Sequence, residues 1–129
     1  MEENKQTVKV IIDTSALFIP FYFKIDIFKE LEYLIEGKKE YILPAAVLEE
    51  LEKIPGSKPV REYISRQKFS VVNVPGRSAD EAILELVKRL RLRNEQVVVV
   101  SGDARLRKLC AELGARVVYV RAKKRLEIE

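Results

Sequence analysis

The chain alternates between two hydrophobic periods. Short apolar runs rich in β-branched residues fall at TVKVIID (7–13), EYILP (40–44), FSVVNV (69–74), QVVVV (96–100) and ARVVYV (115–120). Between them, apolar residues recur at helical spacing. DIFKELEYLIEG (26–37) carries them at 27, 28, 31, 34 and 35, with Gly37 placed as a C-cap. AAVLEELEKI (45–54) predicts a helix stopped by Pro55-Gly56, and residues 58–67 predict another short one. SADEAILELVKRLRLR (78–93) is the longest, and Ser78 and Glu81 have capping-box spacing at its start. In DARLRKLCAELG (103–114), Leu106, Leu109, Cys110 and Leu113 form one apolar stripe, which makes Cys110 a core residue. Strands alternating with helices predict a three-layer α/β/α sandwich with a five-stranded parallel sheet. The strand runs are continuous, as burial on both faces requires.

A chain of 129 residues suffices for one domain, 1–129, and is too short for two. No apolar run approaches the roughly 18–20 residues that span a bilayer. The opening MEENKQT is polar and acidic, unlike a signal peptide. A single cysteine excludes an internal disulfide. The expectation is a cytoplasmic protein with no membrane association. Histidine is absent, which removes His-based triads and most zinc chemistry. No glycine-rich phosphate loop is present, so dinucleotide and nucleoside-triphosphate binding are not expected.

Charge is distributed unevenly. Residues 1–87 hold 12 basic and 15 acidic side chains, whereas residues 88–125 hold 12 basic and 3 acidic. The basic half suggests a polyanionic partner. An ordinary solvated Lys/Glu-rich surface accounts for the charge equally well.

Four acids fall where function collects in an open α/β sheet, beyond the carboxyl ends of the strands. Asp13 ends the first strand. Asp103 follows VVVV after only Ser101 and Gly102, where the glycine is expected to turn the backbone sharply. At about 100° per residue, Glu50 lies on the edge of the buried face of its helix, whereas Glu49 points away. Asp80 lies on the apolar face of helix 78–93, three, four and seven residues before Ile83, Leu84 and Val87. Singly, each acid has a plain structural role: Asp13 and Asp103 as caps, Asp80 as a partner of the helix dipole, Glu50 as a surface group. Together, four carboxylates on one rim repel one another, and a divalent cation resolves that repulsion. An oxygen-only donor set describes Mg²⁺ or Mn²⁺.

IIDTSALF, PAAVLEELEKI, SADEAILELV and VVVVSGDARLRKL, in that order, resemble the PIN-domain nucleases, and the resemblance runs from Val8 to Val120. It implies a Mg²⁺- or Mn²⁺-dependent endonuclease of single-stranded or structured RNA, often a homodimer. It carries over the acids Asp13, Glu50, Asp80 and Asp103, with Ser15, Ser101 and Glu81 in support. IPFYFKIDIFKELEYL resembles the archaeal branch related to small-subunit ribosomal RNA processing nucleases, and VapC-type toxins more distantly. The chain departs from the family pattern at Ser101-Gly102-Asp103, where many members read Thr-Asn-Asp, and at Arg105, where a further acid is common. Arg105, Arg107 and Lys108 lie nearest Asp103 and are expected to hold the RNA backbone. Phe18, Phe21, Tyr22 and Phe23 are read chiefly as core cover, with base stacking or a dimer patch as the alternative.

Other readings compete. A non-catalytic RNA-binding member of the same fold fits the missing acid at 105. A toxin-type ribonuclease fits the same motifs. A haloacid-dehalogenase-type phosphatase also ends its first strand on Asp, but needs a second Asp where this chain has Ser15. A receiver-like domain needs an acidic pair that the first strand region does not offer.

Overall fold

The computed structural model describes residues 7–75 and 78–129. Residues 1–6, most of the polar opening segment, and the Gly76 that follows the third apolar run and Pro75 lie outside the described residues. The elements are β1 (Val8–Ile12), α1 (Thr14–Leu17), α2 (Ile19–Phe23), α3 (Ile27–Leu34), β2 (Lys39–Pro44), α4 (Ala45–Glu52) and α5 (Lys58–Ser65). They continue with β3 (Ser70–Val72), α6 (Ala79–Leu92), β4 (Val97–Val100), α7 (Ala104–Glu112), β5 (Arg116–Arg121) and β6 (Arg125–Ile128).

The strands form one sheet in the order β3-β2-β1-β4-β5-β6. The first five are parallel, as expected, and β6 runs antiparallel to β5. The predicted count of five is therefore corrected to six. The reason is physical: once β5 is laid down, its outer edge would expose unpaired backbone groups, and the chain returns to cover it. Leu126 of β6 is buried, and its N–H donates to Glu30 Oε1 of α3 at 3.0 Å. Helices flank the sheet: α4 and α6 contact β2, and α7 contacts β4 and β5. Val97, Val98, Val99 and Val100 are all buried, as a doubly covered central strand demands.

One further expectation changes. The helix predicted to 37 ends at Leu34 with Ile35 as its cap. Gly37 lies beyond it, at φ +90, and serves the turn into β2 rather than the helix end. The segment after β1, to which the sequence pattern assigns no element, forms two short helices, α1 and α2.

Gly114, after α7, combines φ +99 with close packing: a Cβ there would stand 2.9 Å from Arg91 Nε. Gly114→Ala is expected to cost at least about 1 kcal/mol. Urea unfolding of the two proteins measures it, and equal midpoints would disprove the reading.

The strand order reverses between β1 and β4. From β1 the chain steps outward to β2 and β3, then returns to the other side for β4 and β5. The carboxyl ends of β1 and β4 are therefore the switch point, the place where such sheets bind ligands.

Candidate active site

β1 and β4 deliver the centre of the site directly. Their register pairs Ile12 with Val100, so the residues following each strand emerge side by side. Asp13 N–H donates to the Val100 carbonyl at 3.0 Å, which holds Asp13 at the rim. Its side chain is buried, with 5% exposure. A buried carboxylate must be hydrogen-bonded to be tolerated, and this one is. Oδ1 accepts from Thr14 N at 2.8 Å, making Asp13 the N-cap of α1. Oδ2 accepts from the hydroxyls of Ser15 and Ser101, each at 2.8 Å.

Ser101 is fully buried and joins two acids. Its hydroxyl donates to Asp13 and accepts the Asp103 backbone N–H at 2.9 Å. Asp103 in turn caps α7, with Oδ1 accepting from Arg105 N at 2.9 Å and Leu106 N at 3.2 Å. The capping roles of Asp13 and Asp103 thus coexist with their place on the rim. Each carboxylate keeps lone pairs that its cap bonds leave unused.

Gly102 corrects an expectation. Its φ is not in the left-handed region, so no sharp turn requires glycine there. What it permits is closeness. Ser15 Oγ accepts the Gly102 N–H at 2.9 Å and lies 3.4 Å from where a Cβ would stand.

Asp80 is half-buried in the first turn of α6, behind the Ser78 cap whose hydroxyl accepts from Glu81 N at 3.1 Å. Burial raises the pKa of its carboxyl above the usual carboxylate range. The charges of Asp13, Asp103 and Glu50 push it the same way, against a smaller pull from Arg105. The four acids singled out from the sequence therefore share one electrostatic field. Glu50 is exposed on α4. Glu81 is exposed, one residue beyond Asp80. Cys110 is buried beneath them, and burial with the charges of Asp13 and Asp80 pushes its thiol up to about 12.

Among the described residues, no three acid or thiol side chains close around a single point as they stand. The donor chemistry nevertheless fits a hard divalent cation: four carboxylates with no imidazole. Thr14 Oγ1, next to Asp13, is buried without a hydrogen-bond partner, so this rim holds a polar atom that the protein does not itself satisfy.

Arg105, Arg107 and Lys108 behave differently from one another. Arg105 and Lys108 are exposed on α7. Arg107 is half-buried: its Nη1 donates to the Ser101 carbonyl at 2.9 Å, and its guanidinium lies 4.8 Å from the Tyr119 ring centroid. Sequence spacing shows the charge of Arg107 but not this tie, because Tyr119 reaches it only through the β4–β5 pairing. Of the aromatics after β1, Phe18 and Phe23 pack on the core, whereas Phe21 and Tyr22 are exposed. The reading as core cover holds for the first pair and fails for the second.

Ser101→Ala should test the joint between the acids. It removes a donor to Asp13 and the acceptor of the Asp103 N–H. The expected result is a turnover lowered about 10–100-fold, as for outer partners of ligating groups, with about 1–3 kcal/mol of lost stability. Turnover and melting measured together would contradict this if neither moved.

A group of acids at the switch point of an α/β/α sandwich defines a class of domain. The family model described as "PIN like domain" matches residues 10–123, and the chain belongs to that family. It is 30% identical to Ribonuclease VapC4 of Methanocaldococcus jannaschii, over 93% of this chain and 95% of that protein. Its fold matches the structure of the PIN domain endonuclease Utp24, with a TM-score of 0.76, 22% identity, and 94% of this chain and 90% of that one covered. Among the described residues, no helix is long and apolar enough to cross a membrane.

Proposed function

We propose that the protein is a Mg²⁺- or Mn²⁺-dependent endoribonuclease of single-stranded RNA. The observation that carries the proposal is the chain from the Asp103 N–H through Ser101 Oγ to Asp13, with Asp80 and Glu50 in the same field. Asp13, Glu50, Asp80 and Asp103 are the residues that would hold the cation. When bound, it would supply a Lewis acid at the scissile phosphate and lower the pKa of the attacking water.

The chain's own groups do the rest. The two serine hydroxyls and Thr14 N–H fix the orientation of Asp13, so its carboxylate needs no rearrangement when RNA arrives. Arg105 and Lys108 offer cations to the RNA backbone beside Asp103, with Glu81 supporting the α6 turn that carries Asp80. This path uses no 2′-hydroxyl nucleophile, so the products carry 5′-phosphate and 3′-hydroxyl ends.

Labelled single-stranded RNA incubated with the protein in Mn²⁺, Mg²⁺ or EDTA tests this. Cutting in metal and none in EDTA is expected. Undiminished cutting in EDTA, or RNA bound but never cut in either metal, would overturn it. The second outcome would leave the non-catalytic RNA-binding reading. We propose ribosomal precursor RNA as the substrate on the resemblance of IPFYFKIDIFKELEYL, and a homodimer as the working form. The relative named Ribonuclease VapC4 favours a second reading, a toxin-type ribonuclease. Growth arrest on expression, relieved by Asp13→Asn, would select it.

A further inference from the structure

The hairpin of β5 and β6 carries none of the four acids. β5 runs parallel to β4, so its carboxyl end rises from the rim that carries Asp103. Ser101 N–H donates to the Val118 carbonyl at 3.1 Å, which sets Tyr119 next to the level of the acids. At about 3.3 Å per residue, Arg121 stands about 7 Å beyond that level. The turn follows at Ala122–Lys124, with Lys124 N–H donating to the Arg121 carbonyl at 3.1 Å.

The turn holds charge at a conformational cost. Ala122 and Lys123 have φ of +56 and +58, positions where Gly, Asn or Asp are the relaxed choices. Lys123 and Lys124 are exposed and, among the described residues, have no ion-pair partner, whereas Arg121 and Arg125 share Glu127. The base of the hairpin is tied to the site. The Tyr119 ring is approached by Arg107 at 4.8 Å and by Arg121 at 5.5 Å, and Arg107 also holds the Ser101 carbonyl. A lysine pair on an ordinary floppy surface loop would have neither the antiparallel pairing nor this anchor.

We infer that the β5–β6 hairpin is a rigid arm whose tip, Lys123 and Lys124, binds the phosphate backbone of an RNA strand running past the acids of the rim. The inference rests on the proposed nuclease reading. It assigns the arm to affinity and leaves the chemical step to the acids. The charge is also well placed electrically: the tip stands apart from the carboxylates, so it attracts phosphates without neutralising the cation site.

Kinetics on a long labelled RNA decide it, using Lys123→Asn with Lys124→Gln. Asn tolerates the positive φ, so the turn is kept. KM should rise roughly tenfold while kcat stays unchanged, and the slope of log affinity against log salt should fall by about 1.4, about 0.7 per lost phosphate contact. Arg at both positions should restore affinity and slope. Lys29→Ala with Lys68→Ala, away from the rim, should change neither. If wild type cuts RNA and the Asn/Gln variant matches it in KM and salt slope, the arm is overturned while the nuclease reading stands. A wild type that neither cuts nor binds RNA overturns both.

Discussion

Asp13→Asn should lower the single-turnover rate of RNA cleavage by roughly 10³-fold or more, from the loss of several kcal/mol of metal-assisted transition-state stabilisation. The fold should survive. Asn Oδ1 can still accept the Thr14 N–H that Asp13 now takes at 2.8 Å. The new Nδ2 faces the hydroxyls of Ser15 and Ser101, which can rotate to accept in place of donating. The expected stability change is about 1 kcal/mol in either direction. A variant that is folded, binds RNA and no longer cuts isolates the carboxylate charge as the lost element. A folded variant cutting at the wild-type rate would remove Asp13 from the chemistry and leave it as a helix cap.

How far such a site is legible in the sequence depends on which interactions are local. Asp13 and Asp103 are readable because the first directly follows a continuous apolar strand and the second comes three residues after one, and strand ends lie on a predictable rim. Asp80 is readable from helical phase alone: its apolar neighbours Ile83 and Val87 at i+3 and i+7 are buried, Leu84 at i+4 is partly buried, and the carboxyl on the same face is half-buried. The joining bonds were not readable. Ser101 and Asp13 are 88 positions apart, and only the pairing of β1 with β4 brings them together. Arg107 reads as a phosphate-binding cation because charge is all that spacing reveals; its carbonyl partner, Ser101, follows β4 and its aromatic partner, Tyr119, lies on β5.

The hairpin was hidden for a different reason. RAKKR contains no Gly, Asn or Pro, so no turn signal separates β5 from β6. The turn is instead forced on Ala122 and Lys123 by the register that pairs Arg121 with Arg125. α1 and α2 were missed because four- and five-residue helices are too short to show a period, and Pro20 reads as a breaker although it is tolerated in the first turn.

Asp80→Asn should move activity and metal-free stability in opposite directions. Burial first, and then the charges of Asp13, Asp103 and Glu50, raise the Asp80 pKa above its ordinary 3.8. Between the ordinary and the raised value, the folded protein binds more protons than the unfolded chain. Stability therefore falls as pH rises through that window, and the full penalty is present above it. In EDTA at neutral pH, the Asn variant should melt above wild type, and its stability should lose the part of the acid-side slope that Asp80 supplies. Cleavage should drop by about 10²-fold or more if the proposed cation site holds, since one of its carboxylates is gone. Added Mn²⁺ should raise the melting temperature of wild type more than that of the variant, because a ligand stabilises the state that binds it. Melting curves in EDTA and in Mn²⁺, across pH, separate this from a structural role. A variant less stable than wild type in EDTA would show that Asp80 serves α6 as a dipole partner, and that the strain of gathered carboxylates is not what this rim stores.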